Sequence, residues 1–91
     1  MLYLVTYDLV KPKQDYEELY EAIKQCSSQW WHYLDSTWII VADMEIGTCV
    51  DKIRSVMDDD DKLLIVNITE ASYNGWLPSK AWEWIKANHK G

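Results

Sequence analysis

Leu2 to Tyr7 is an unbroken run of β-favouring, almost wholly apolar residues, and an acid, Asp8, closes it. A strand written this way has no polar face, so it must be buried on both sides. It therefore belongs at the centre of a sheet with material above and below. The carboxylate then stands where the sheet meets solvent, and in sheets flanked by helices that end is a common place for ligand chemistry.

The chain of 91 residues is read as one domain, 1–91, with a core over 1–69 and a C-terminal loop and helix over 70–91. At this length roughly two-thirds of the unfolded surface can be buried, enough for a single core. Apolar residues make up 48% of the chain, which excludes disorder. The net charge of −6 excludes a broad electrostatic grip on nucleic acid. It leaves room for a small phosphate site in which a bound cation supplies the positive charge. No apolar run approaches the roughly 18 residues of a membrane span. The first residues carry no basic region and no small-residue cleavage site, so the expected location is cytoplasmic. Cys26 and Cys49 are then expected to be buried free thiols.

Lys11 to Gln14 reads as a break, and Asp15 with Glu18 as a capping pair for a helix. Tyr16, Leu19, Tyr20, Ile23 and Cys26 fall on one face of that helix, and Ser27-Ser28 should end it. Gln29 to Ala42 reads as a hairpin turning at Asp35-Ser36. Asp43 is placed as the cap of a second helix whose buried stripe is Ile46, Val50, Ile53 and Met57, with Cys49 and Val56 beside them, slightly weakened by Gly47 in its first turn. Asp58 to Asp61 reads as a solvated helix stop, and Lys62 to Ile68 as a fourth strand. A loop containing Asn74-Gly75 leads to Pro78 and a third helix, Ser79 to Asn88, with Ala81, Trp82 and Ile85 inward and Trp84 toward the flank.

The order strand, helix, strand, strand, helix, strand predicts an α+β, ferredoxin-like βαββαβ domain: an antiparallel sheet with two helices on one face. The other face then needs a cover, either a partner copy or the Trp-rich tail.

Within this order the opening LYLVTYDL, the helix DYEELYEAIK, the hairpin WWHYLDSTWIIV and the strand LLIVNI resemble the second CRISPR-associated adaptation protein and its VapD-type toxin ribonuclease relatives. The resemblance covers residues 1 to 69. It implies a homodimer in which the acid ending the first strand, here Asp8, comes from each protomer to hold Mg²⁺ or Mn²⁺ for phosphodiester cleavage of RNA or DNA. The departures are the acidic surface and a tail that reads as loop and helix where the family continues with a strand.

A lone carboxylate needs help to hold Mg²⁺, which is commonly bound through one or two carboxylates with waters and phosphate oxygens; one Asp8 from each of two chains meets that count where a monomer would not. The alternative is that Asp8 caps the turn that follows it. Tyr7 is a secondary candidate as proton donor and Thr6 as a phosphate contact, and both also fit plain sheet roles. His32 lies on a strand with nothing in the sequence to bring it near Asp8, and His89 falls in a tail expected to fray. Trp30, Trp31, Trp38, Trp76, Trp82 and Trp84 are expected to serve core and dimer packing rather than base stacking, because basic residues are scarce. The rival function is a non-catalytic dimeric module that binds protein or nucleic acid.

Overall fold

The computed structural model describes residues 1–10 and 16–89. Its elements are β1 (Leu2–Asp8), α1 (Glu17–Gln25), β2 (Ser27–Leu34), β3 (Thr37–Ala42), α2 (Ile46–Arg54), β4 (Lys62–Asn67) and α3 (Ser79–Asn88). The four strands form one antiparallel sheet in the order β2-β3-β1-β4. The chain is thus α+β, as its strand and helix patterns indicate.

β1 lies inside the sheet because both its faces are apolar. Tyr3, Val5 and Tyr7 point to one side, where Trp38 and Ile40 of β3 join Leu19, Ile23, Cys49 and Ile53 of α1 and α2. Leu2 points to the other side, where Ile39 and Trp31 meet Ala81 and Ile85 of α3. The result is three layers: two helices, the sheet, and α3. The face that called for a cover is thus partly roofed by the chain's own tail, over β1, β2 and β3.

Most elements sit where the periodicity puts them, and the differences have local causes. The break at Lys11 to Gln14 and the Asp15 cap lie outside the described residues; α1 begins at Glu17 with Tyr16 at the N-cap position. Ser27 and Ser28 belong to β2, although the Ser27 hydroxyl still donates back to the carbonyls of Lys24 (3.1 Å) and Ile23 (3.4 Å). In this way one residue satisfies helix-end carbonyls while starting a strand. The N-cap of α2 is Glu45, not Asp43. Its buried residues are Cys49 and Ile53, while Ile46 is exposed and Met57 lies beyond the end of the helix. Ile53 and the neighbouring Cys49 are thus buried as read, Val50 and Met57 are half-buried, and of the stripe only Ile46 is exposed.

Asp61 departs furthest from its sequence reading. It is 8% exposed, not solvated, and its two carboxylate oxygens accept from the backbone N–H groups of Val10 and Asp58, each at 2.9 Å. A carboxylate buried on backbone donors pins the exit of β1 to the entry of β4. Asp61→Ala should destabilise the fold by about 2–4 kcal/mol, because two donors lose a charged acceptor; a urea midpoint unchanged from wild type contradicts this. Gly47 offers the opposite case. It lies in the first turn of α2, has no positive φ, and a Cβ there meets nothing within 4 Å. Gly47→Ala should raise stability by roughly 0.4–1 kcal/mol, read as a higher thermal midpoint.

Candidate functional site

β1 ends beside the β2–β3 turn, because the β1–β3 register runs Leu2↔Val41 to Thr6↔Thr37. The turn at Asp35-Ser36 consequently lies against the last residues of β1: the Tyr7 N–H donates to the Ser36 carbonyl at 3.1 Å. α1 passes over the same end of the sheet. These three elements enclose an open cleft of about 370 Å³ lined by Tyr7, Asp8, Tyr16, Tyr20, His32 and Asp35, among others.

Asp8 is exposed at the lip of this cleft. Its carboxylate makes no hydrogen bond and no ion pair with the described residues, so it does not cap the turn that follows it there. Its cross-strand neighbour is Lys62. Leu9 and Val10 continue the chain, and it is Asp61, not Asp8, that accepts the Val10 N–H. The Val10 N–H, which Asp8 could have capped, goes to a different acid, and Asp8 is unengaged by the described residues.

Tyr7 is buried with its hydroxyl in a relay. It accepts from the Trp38 indole N–H at 3.2 Å and is placed to donate to the Asp35 carbonyl at 3.4 Å. Burial, slightly opposed by the Trp38 bond, pushes its pKa up to about 12. The phenol therefore stays protonated at neutral pH and holds the turn in place. Thr6 points away from the cleft. Its hydroxyl lies 3.1 Å from that of Thr37 and donates to the Ser36 carbonyl at 3.3 Å, so it too ties β1 to the hairpin. Thr6 does border a second, shallower depression of about 220 Å³ with Asp8 and Lys62.

Nothing in the sequence sets His32 beside Asp8, but the fold does. His32 lines the same cleft as Asp8. Its ring stacks on Trp38, with centroids 4.1 Å apart and planes 14° apart, and meets the Tyr20 edge at 5.1 Å. Nε2 lies 3.0 Å from the Asp35 carbonyl, an acceptor, so the neutral ring carries its proton on Nε2 and its lone pair on Nδ1. Tyr16 and Tyr20, assigned by periodicity to the core stripe of α1, are half-buried, stack on each other at 5.9 Å, and form the wall of the cleft. The signal for all three lay in the topology: in this strand order the hairpin turn must return to the end of β1.

Among the described residues, the cleft lining carries the acids Asp8 and Asp35 and no lysine or arginine. No group of three or more His, Cys, Asp or Glu side chains is poised to cage a metal among them. Among the described residues of the lining, no cationic side chain stands ready for a phosphate entering this cleft. A divalent ion on Asp8, completed by water and by the phosphate itself, meets that need with a single protein ligand.

The remaining candidates divide by burial. Trp38 and Trp31 are core residues, Trp82 and Trp84 are half-buried side chains of α3, and Trp30 and Trp76 are exposed. Cys26 and Cys49 are buried free thiols, as expected, with the Cys26 sulfur 3.9 Å from the Cys49 carbonyl. Burial pushes the Cys49 thiol up to about 12, which removes it as a nucleophile near neutral pH. His89 does not fray: it is half-buried, and its Nε2 lies 3.1 Å from the Ile68 carbonyl. No described helix is long and apolar enough to cross a membrane. Set against known families and curated proteins, the sequence matches no family model and no curated protein.

Proposed function

We propose that the chain is a metal-dependent endonuclease that acts on RNA or DNA as a homodimer, with Asp8 of each protomer as the ligand of a Mg²⁺ or Mn²⁺ ion. The observation that carries this reading is the state of Asp8: an exposed, unengaged carboxylate at the end of an interior strand, on the lip of an aromatic cleft. Asp8 would hold the ion, which would supply positive charge to polarise a phosphodiester and would make a water more acidic. His32 stands in the same cleft, its Nε2 against the Asp35 carbonyl, so Nδ1 is the nitrogen of the neutral ring that can accept a proton. Tyr16 and Tyr20 offer faces on which a base can stack.

The order β2-β3-β1-β4, with α1 and α2 on one face, supports a ferredoxin-like arrangement extended by α3. The same order, together with Tyr7-Asp8 closing β1, supports kinship with the second CRISPR-associated adaptation protein. The experiment is incubation of the purified protein with labelled single- and double-stranded RNA and DNA, in Mg²⁺, Mn²⁺ or chelator. Cleavage that appears with metal and vanishes with chelator is the expected result. No cleavage of any substrate in either metal contradicts the enzyme reading.

A second reading, a non-catalytic dimeric interaction module, draws on a different observation. Leu64, Val66 and Trp76 are exposed apolar side chains, Trp76 at 99%. In that reading the cleft has no reaction to perform, and the exposed apolar surface is the working part.

A further inference from the structure

The two edges of the sheet are not alike. β2, at one edge, departs from regular pairing with β3 twice, between Ser27 and Gln29 and between Trp31 and Leu34. Such irregularities twist an edge and keep other strands from adding to it. β4, at the other edge, pairs with β1 without interruption from Tyr3↔Asn67 to Asp8↔Lys62, and no described strand lies on its outer side. Leu63 to Asn67 contains no charge, no proline and no glycine. Leu64 is 59% exposed and Val66 39%, both on the α3 side of the sheet where α3 does not reach. This is a regular, unguarded edge with apolar side chains beside it.

Its hydrogen-bonding phase can be read directly. The Ile68 N–H donates to the Leu2 carbonyl at 2.8 Å. In an antiparallel ladder these groups alternate in direction, so Leu64 and Val66 also turn their N–H and C=O toward β1. Leu63, Ile65 and Asn67 turn theirs outward, into the open edge.

We propose that β4 pairs with β4 of a second copy of this chain, antiparallel and centred on Ile65, to give a continuous eight-stranded sheet. The proposal rests on the homodimer in the function above and supplies its interface. A two-fold axis at Ile65 sets Ile65 opposite its own copy, and Leu63 opposite Asn67 of the second copy. These are the three residues whose backbone groups point outward, so every outward donor meets an acceptor. The same register sets Leu64 opposite Val66 of the second copy in the closely spaced, non-hydrogen-bonded pairs. Both exposed apolar side chains are thereby buried twice over. The match is a property of one strand with itself, which is what an isologous interface requires. Charge favours it as well: copies carrying −6 each repel across acidic surface, and this stretch of strand presents none.

The arrangement has a consequence for the cleft. Asp8 pairs with Lys62, three residues from the axis, so the two Asp8 carboxylates fall at opposite ends of the joined sheet. They stand roughly 25 Å apart at about 3.4 Å per residue and about 4.8 Å per strand. Each Asp8 then holds its own cation, giving two ions per dimer instead of one shared between protomers.

The test is sedimentation equilibrium of the full chain over a concentration series, with circular dichroism to confirm folding. Wild type is expected to sediment as a dimer. Leu64→Lys and Val66→Lys, each changing an exposed side chain, should raise the dimer dissociation constant by about tenfold or more, roughly 1.4 kcal/mol at each site. Trp30→Lys on the guarded β2 edge should leave it unchanged. Asp8→Ala should dimerise like wild type, so loss of the nuclease reading and loss of this interface show up separately. A wild type that stays monomeric throughout, or a dimer indifferent to both β4 lysines, overturns the proposal.

Discussion

Asp8→Ala should lower metal-dependent phosphodiester cleavage by roughly two to three orders of magnitude while leaving the fold and the dimer unchanged. Removing the one protein ligand of the cation removes several kcal/mol of charge stabilisation in the transition state, and each 1.36 kcal/mol is a factor of ten in rate. The structural side of the prediction is equally definite. Asp8 is exposed and takes no bond from the described residues, so its loss strands no buried donor. Its thermal midpoint should match wild type within the scatter of surface substitutions, about 0.5 kcal/mol. Asp8→Asn keeps the shape and loses the charge, and should fall nearly as far in rate. Full activity in Asp8→Ala removes the metal role outright, and a large loss of stability shows that Asp8 is a structural acid.

Trp38→Ala is expected to be the most damaging single substitution for the fold, at about 3–5 kcal/mol. Trp38 is 1% exposed and heads the fully buried side chains by volume. It touches three parts of the structure at once: the Tyr7 hydroxyl through its indole N–H, the His32 ring by stacking, and the Tyr20 ring edge-on at 5.3 Å. Its removal leaves a cavity under the cleft and a hydroxyl without its donor. Against a typical domain stability of about 5–15 kcal/mol, this takes a large share. Urea unfolding should show a midpoint shifted far down, and Trp38→Phe should recover part of the packing without the hydrogen bond. A small shift in Trp38→Ala would mean that β3 and α1 are not held together through this ring.

How far the sequence could be read differs between core and cleft. β1 and β3 were legible as continuous β-favouring apolar runs, and α3 because its apolar residues repeat at the helical period. Leu2 to Tyr7 admits burial on both faces, and Ala81 and Ile85 lie four apart on one side of α3. Asp61 was not legible. In a run of four acids nothing local marks the one whose carboxylate turns inward; that depends on Val10, 51 residues away in the chain. His32 failed for the same reason. Its neighbours in sequence are Trp31 and Tyr33, but its neighbours in space are Trp38 and Tyr20, and the hairpin's return to β1 is what sets it beside Asp8. Asp8 itself was found because a lone acid after an apolar strand is a local signal. What the structure adds is that the acid is unengaged by the described residues, and that it shares its cleft with an imidazole and three tyrosines.

The central claim is that the Asp8 carboxylate holds a divalent cation. The most direct measurement is a Mn²⁺ titration followed by proton–nitrogen NMR, since the paramagnetic ion broadens amides near its site. Wild type should lose the Asp8, Leu9 and Ser36 amide signals first, and Asp8→Ala should keep them at the same Mn²⁺ concentration. Broadening centred elsewhere, for instance on Asp58 to Asp60, or identical in the two proteins, contradicts the account.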